Sequence, residues 1–222
     1  MQRIMFPGIE TGKRGLGRRM QIAVSIADAV TSVLPYLKDN IEWNPLLSHR
    51  LEHIDVSWRY VTEDELKRVS LDFEQLLAKY MKLHQELREE SHLKMNPNWS
   101  DEITTVYWDL SKAIRVMDIH EIQQKEPRLS VPVHVARIGD LAIATNPFGL
   151  YVDYGMRIKA RSKAVQTFIV QLANGYYIYL PTERSITGGA YGSNPEVNEV
   201  GPEGGYQLVE GTLALIESLW RE

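Results

Sequence analysis

The sequence changes its hydrophobic period halfway along the chain, and this change limits the possible folds. In the first half, apolar residues recur every three or four positions, which is the spacing of one face of a long amphipathic helix. The two stripes are Leu16, Met20, Ala23, Ala27, Val30, Leu34 and Leu66, Val69, Phe73, Leu76, Tyr80, Leu83, Leu87. A third helix is predicted after Ser100, through about His120.

One strand is predicted in the first half, and strand patterns dominate the second half. Alternating or continuous apolar runs predict strands at Ile54–Tyr60, Ser130–Arg137, Leu141–Thr145, Val165–Leu172 and Tyr176–Leu180. Two further helices are predicted, one ending near Arg161 and one carrying Tyr206 to Trp220. We therefore expect an α/β (mixed α+β) fold, in which a layered mixed sheet packs against long helices. The helix-rich part is 1–125 and the mixed part is 126–222, and we find no linker that separates them.

Composition excludes several classes of protein. The 222 residues include 25 Lys and Arg against 29 Asp and Glu, so the net charge of −4 gives no reason to expect nucleic-acid binding. The lack of Cys excludes disulfides, thiol catalysis and Cys-ligated metals. No apolar run approaches the ~20 residues that a transmembrane helix needs. Met1–Gly12 has no apolar signal-peptide core, and the localisation stays open.

The residue patterns alone leave the chemistry undecided. The six His show no close metal-ligand spacing, and His49 and His53 fall in an extended pattern rather than on one helix face. The Leu66–Leu87 stripe fits packing within a domain or a coiled-coil seam. The tyrosines of Gly175–Leu180 fit cross-strand packing or a glycine-lined pocket.

Two runs resemble the neutral/alkaline (non-lysosomal) ceramidase family. They are Ala136–Phe148 and Leu172–Arg184, and Gly188–Tyr191 and Gly201–Pro202 follow in the family's order. The resemblance extends from about Val131 to the C-terminus. It implies that the chain is the C-terminal portion of a catalytic domain that cleaves the amide bond of ceramide or a related N-acyl lipid. In the family, two His, a Glu and a Tyr hold one zinc ion, which activates water.

The resemblance assigns site residues by position. The zinc-ligating tyrosine corresponds to Tyr179, and Asn174, Gly175 and Tyr176 fall in the segment implied to bind substrate. The ligand Glu corresponds to Gly149, which has no side chain, and Asp153 is an alternative carboxylate one helical turn further on.

The remaining ligands do not map onto the chain. The family's two His ligands belong to segments upstream of Met1, so the catalytic residues are unknown here. Whether the chain is an enzyme is left open: we expect it to be incomplete or inactive by itself, or to need an upstream ceramidase-like chain or segment. The alternatives are a non-catalytic lipid- or partner-binding domain on the same scaffold, and a helical interaction module built on the Leu66–Leu87 stripe.

Overall fold

A computed structural model describes residues 16–39, 41–89, 101–194 and 197–221. The Met1–Gly12 segment and Ser100, on which two of the sequence expectations rest, lie outside these residues. The chain forms two compact units, Met1–Pro45 and Leu46–Glu222. The expectation of one domain over 1–222 stays a prediction.

The first unit contains one helix, α1 (Leu16–Leu37), among its described residues. The helix is apolar and exposed: its stretch Gly17–Leu37 has 21 residues, and none of them is buried. By length and composition it is able to cross a membrane, which corrects the expectation that no run reaches this length. The core helices of soluble proteins and signal sequences can have the same length and composition.

The second unit contains the predicted mixture of helices and strands, and it confirms the α/β class. In chain order its elements are β1 (Leu47–Ser57), α2 (Glu63–Glu89), α3 (Glu102–Lys125), β2 (Arg128–Ile138), β3 (Leu141–Thr145), β4 (Gly149–Leu150), α4 (Val152–Arg161), β5 (Gln166–Val170), β6 (Tyr179–Leu180), α5 (Glu183–Thr187), a short 3-10 helix (Tyr191–Ser193) and α6 (Pro202–Ser218).

Four strands form the main sheet, in the order β1-β2-β3-β5. The β1–β2 and β2–β3 pairs are antiparallel, whereas β3 and β5 are parallel and are joined through α4. The strands β4 and β6 form a separate parallel pair. The first predicted strand begins at Leu47 rather than Ile54, and the segment Tyr176–Ile178 lies in a loop rather than in a strand.

One face of the main sheet forms the core. Alternate side chains of β2 and β3 are buried there together with Val56 of β1, and α6 packs against these strands. The buried residues on this face include Val56, Val131, Val133, Val135, Ala142 and Ala144.

Glycines let α6 approach β1 closely. A Cβ at Gly204 would lie 2.7 Å from the carbonyl oxygen of Ser57, and one at Gly211 would lie 2.6 Å from Cδ1 of Ile54. Larger residues at either position would push the helix away from the sheet.

Tyr154 of α4 anchors the region where α4 meets α6. Its ring is 1% exposed, and its hydroxyl donates a hydrogen bond to the carbonyl oxygen of Pro181 at 2.9 Å. Burial raises the pKa of this phenol well above its ordinary value, and Tyr206 adds to the rise. Ionisation would place a charge in an apolar site, so the folded chain retains the proton.

This shift predicts a loss of stability in alkali. Above about pH 10 the unfolded chain releases the Tyr154 proton while the folded chain keeps it, so unfolding becomes more favourable as the pH rises. The free energy of unfolding should fall with a slope approaching about 1.4 kcal/mol per pH unit from this group. Denaturant unfolding of the parent chain and of Tyr154→Phe between pH 9 and 11 measures the difference. Equal slopes in the two proteins would contradict the assignment.

The long helices α2 and α3 pack against each other as a hairpin. The Leu66–Leu87 stripe is half-buried against α3, so it packs within the chain.

Hydrogen bonds fix the start of the hairpin. Thr62 caps α2 by accepting a hydrogen bond from the Glu65 amide at 3.1 Å, while the Glu65 carboxylate accepts one from Arg59 at 2.7 Å. The side-chain amide of Gln123 pairs with both backbone groups of Val61 and joins α3 to the start of the hairpin.

Candidate functional site

The two segments that carry the family resemblance meet in the fold. The loop after β3, residues 146–149, and the loop before β6, residues 171–178, exchange backbone hydrogen bonds. Tyr177 donates to the carbonyl oxygen of Pro147 at 3.0 Å, and Ala173 donates to that of Asn146 at 2.9 Å. We call this arrangement the paired loops. Segments about 30 positions apart in sequence are therefore held in one place.

The second of the paired loops is strained. Leu172, Asn174 and Ile178 have φ angles of 55°, 61° and 51°. This left-handed region disfavours residues other than glycine, and it is most costly for a β-branched residue such as Ile178. Gly175 has φ 153°, and a Cβ there would lie 3.1 Å from Cβ of Pro147. Clustered strain of this kind is typical of functional loops.

Tyr179 lies in a narrow slot between two glycines. Gly149 is its direct partner in the β4–β6 pair, and a Cβ on Gly149 would lie 2.9 Å from Cδ1 of the Tyr179 ring. On the other side, a Cβ on Gly192 would lie 2.8 Å from Cγ of the same ring. Tyr191 meets the ring edge-on, with 6.0 Å between the ring centroids. We call this arrangement the tyrosine slot.

The residues of the tyrosine slot do not fit the zinc site that the resemblance implies. The volume that a carboxylate side chain at position 149 would enter is occupied by the Tyr179 ring itself. Within the described ranges, no three His, Cys, Asp or Glu side chains are grouped closely enough to hold a metal ion. Asp153, the alternative carboxylate, is exposed in the first turn of α4. A single phenol does not make a catalytic zinc site, and Tyr179 as a ligand stays a prediction.

The three residues implied to bind substrate lie together in the middle of the strained loop. The Asn174 amide donates a hydrogen bond to Oγ1 of Thr145 at 3.3 Å, and Tyr176 is 70% exposed. The adjacent tyrosine has a different role, because Tyr177 packs against Phe148 with 5.7 Å between the ring centroids. The three tyrosines of this segment therefore do not line one pocket.

The face of the main sheet opposite α6 is exposed and apolar, and we call it the open face. Large apolar side chains from all four strands lie on it, each between 38% and 69% exposed. They are Leu47, Leu51, Ile138, Leu141, Phe168 and Val170. Several large apolar side chains exposed on one face of a sheet are typical of an interaction surface.

A polar group lies within the open face. His49 and His134 are hydrogen-bonded through Nε2 and Nδ1 at 3.0 Å, and the amide of His134 donates to Oγ1 of Thr145 at 3.2 Å. Since Thr145 also accepts from Asn174, this group reaches the paired loops. The histidine pair has no local sequence signature, because the two residues are 85 positions apart and meet only through the β1–β2 register. The role of Gly192 was missed as well, although its glycine-rich segment is conspicuous.

Comparisons with known proteins found partial likenesses to solved structures. No family model matches the sequence, and no curated protein matches it. A solved ceramidase complexed with C2 is 21% identical, with a TM-score of 0.34, over 42% of this chain and 15% of that one. A neutral ceramidase from Pseudomonas aeruginosa is 23% identical, with a TM-score of 0.33, over 41% of this chain and 16% of that one. The aligned part of this chain spans about one sixth of the length of each of these two proteins.

Proposed function

We propose that this chain is a non-catalytic domain on a ceramidase-like scaffold, and that it binds an N-acyl lipid on its open face. The observation that carries the proposal is the open face itself. Six large apolar side chains from four strands lie on one surface, and because each is already partly buried, covering the exposed remainder of each would contribute on the order of 1 kcal/mol. An acyl chain is an apolar ligand of suitable shape for such a surface.

The polar group on the open face favours an amide lipid over a plain hydrocarbon. An N-acyl amide offers one N–H donor and one carbonyl acceptor. Thr145 of the open face and Asn174 of the adjoining loop are hydrogen-bonded to each other and carry complementary donors and acceptors. Polar groups placed in this way fix the orientation of a ligand that apolar contacts hold.

The test measures binding of a short-chain N-acyl sphingoid lipid by calorimetry. A soluble lipid is used because the exposed helix α1 could bind to a membrane by itself. The double variant Leu51→Ser/Phe168→Ser removes two apolar contacts from the open face and should weaken binding by more than tenfold, or about 1.4 kcal/mol. Leu71→Ser is the matched control, because Leu71 is exposed on α2. It should leave binding unchanged.

A second ligand distinguishes the contribution of the amide group from that of the acyl chain. The free sphingoid base mixed with the matching fatty acid presents the same apolar groups without the amide, and it should bind more weakly. Equal binding by the parent, the double variant and the control would overturn the proposal. The proposal would also be overturned if the open face bound another polypeptide and no lipid.

A ceramidase-like amidohydrolase is the second candidate. It is favoured by one observation, namely that the two segments of family resemblance meet in the paired loops. Its zinc ligands would have to come from an upstream chain or segment, because the described residues supply no such group. The same lipid incubated with the isolated chain and added zinc should release no fatty acid. Turnover by the chain alone would make it an enzyme.

A further inference from the structure

His49 and His134 form an imidazole pair on the open face. His49 is exposed on β1, and His134 is half-buried on the adjacent strand β2. Their facing nitrogens are 3.0 Å apart, and their ring centroids are 5.2 Å apart with 28° between the ring planes. The rings therefore meet edge to edge through an N–H···N hydrogen bond. One lone pair and one hydrogen lie between the two nitrogens.

The spacing of these two nitrogens suits a metal chelate. Two imidazole nitrogens bound at ~2.0–2.1 Å to one ion, at angles from 90° to tetrahedral, lie about 2.9–3.4 Å apart. The separation of 3.0 Å falls at the square-planar end of that range. Binding requires the donor ring to change tautomer and each ring to turn, so that both lone pairs point at the ion. The exposure of His49 leaves room for this movement.

We propose that His49 and His134 form a bidentate site for a divalent transition metal, with Cu²⁺ and Ni²⁺ preferred. These ions favour imidazole ligands in square-planar or tetragonal geometry, and Cu²⁺ stands highest in the affinity order. Among the described residues no third His, Cys, Asp or Glu joins the pair, so water completes the coordination. The rigid β1–β2 pairing fixes the backbones that carry both ligands and raises the effective concentration of the second imidazole.

Calorimetric titration of the untagged chain with Ni²⁺ tests the site. The parent should bind one ion, and His49→Gln and His134→Gln should each weaken binding by roughly 100-fold, because each leaves a single imidazole. His84→Gln is the matched control, since this histidine is exposed on α2, and it should behave as the parent. With Cu²⁺, electron paramagnetic resonance should show two coupled nitrogens in the parent and one in each single variant.

Two results would overturn the site. One is Ni²⁺ binding by either single variant with the affinity of the parent. The other is an equal loss in His84→Gln, which would place the ion elsewhere on the chain. Thermal unfolding without metal serves as the folding check, and a variant that unfolds is replaced by the corresponding Asn substitution. These readouts do not involve lipid, so they stand or fall separately from the proposed function.

Discussion

Gly205→Ala should lower the free energy of unfolding by about 3 kcal/mol or more. A Cβ at this position would lie 2.3 Å from both Cζ and Oη of Tyr154. The Tyr154 ring is fully buried in the core, so it has no space to move into. A shift of the ring would also break the hydrogen bond from its hydroxyl to Pro181, which leaves a buried donor unsatisfied. Urea unfolding followed by circular dichroism gives the free energy.

Gly155→Ala is the matched control for this substitution. Gly155 lies in α4, on the same helix as Tyr154, and the nearest atom to its added Cβ would be Cγ1 of Ile169 at 3.9 Å. This is ordinary contact, and alanine is the better helix former, so the chain should be unchanged or more stable by up to about 1 kcal/mol. Equal losses in the two variants would mean that the contact with Tyr154 does not decide the stability.

Gly149→Ala should cost about 1–2 kcal/mol and should displace the Tyr179 ring. The added Cβ would lie 2.9 Å from the ring and 3.1 Å from the carbonyl oxygen of Ile178. A double-mutant cycle isolates the contact with the ring. In a Tyr179→Leu background the side chain is smaller, so most of the cost of Gly149→Ala should disappear. An unchanged cost would show that the clash is with the backbone and not with the ring.

The tyrosine slot also predicts the behaviour of a restored carboxylate. Gly149→Glu should give no gain in zinc affinity, because the new side chain competes with Tyr179 for one space. The measurement is calorimetry in a His49→Gln background, which removes the imidazole pair from the comparison. Micromolar zinc binding that appears only with the Glu would contradict this account and would support a metal site at Tyr179.

The sequence predicted elements better than it predicted contacts. The 3/4 stripe of α2 and the alternation of β3 depend on local spacing, and both lie where the sequence places them. The segment Tyr176–Ile178 was wrongly predicted as a strand because of its aromatic composition. Its backbone instead has a left-handed conformation at Ile178, and hydrogen bonds to the 146–149 loop hold the segment in place. Such tertiary bonds leave no local pattern.

The candidate site was only partly predictable for the same reason. The resemblance located Asn174, Gly175, Tyr176 and Tyr179, and it identified Gly149 as the departure from the family. The resemblance does not show that the Tyr179 ring occupies the space beside Gly149, because this contact depends on the parallel pairing of β4 with β6. The open face was also hidden, because α6 covers one side of the sheet only and the sequence does not show which side.

The tyrosine slot has a consequence for how this chain can change by mutation. Gly149, Tyr179 and Gly192 share one volume, so the effect of a substitution at any of them depends on the residues at the other two. A larger residue at position 149 becomes tolerable only after the ring has become smaller, and the smaller ring leaves a void until position 149 has grown. Single steps between the two arrangements therefore pass through destabilised intermediates, and the three positions are expected to change together or not at all.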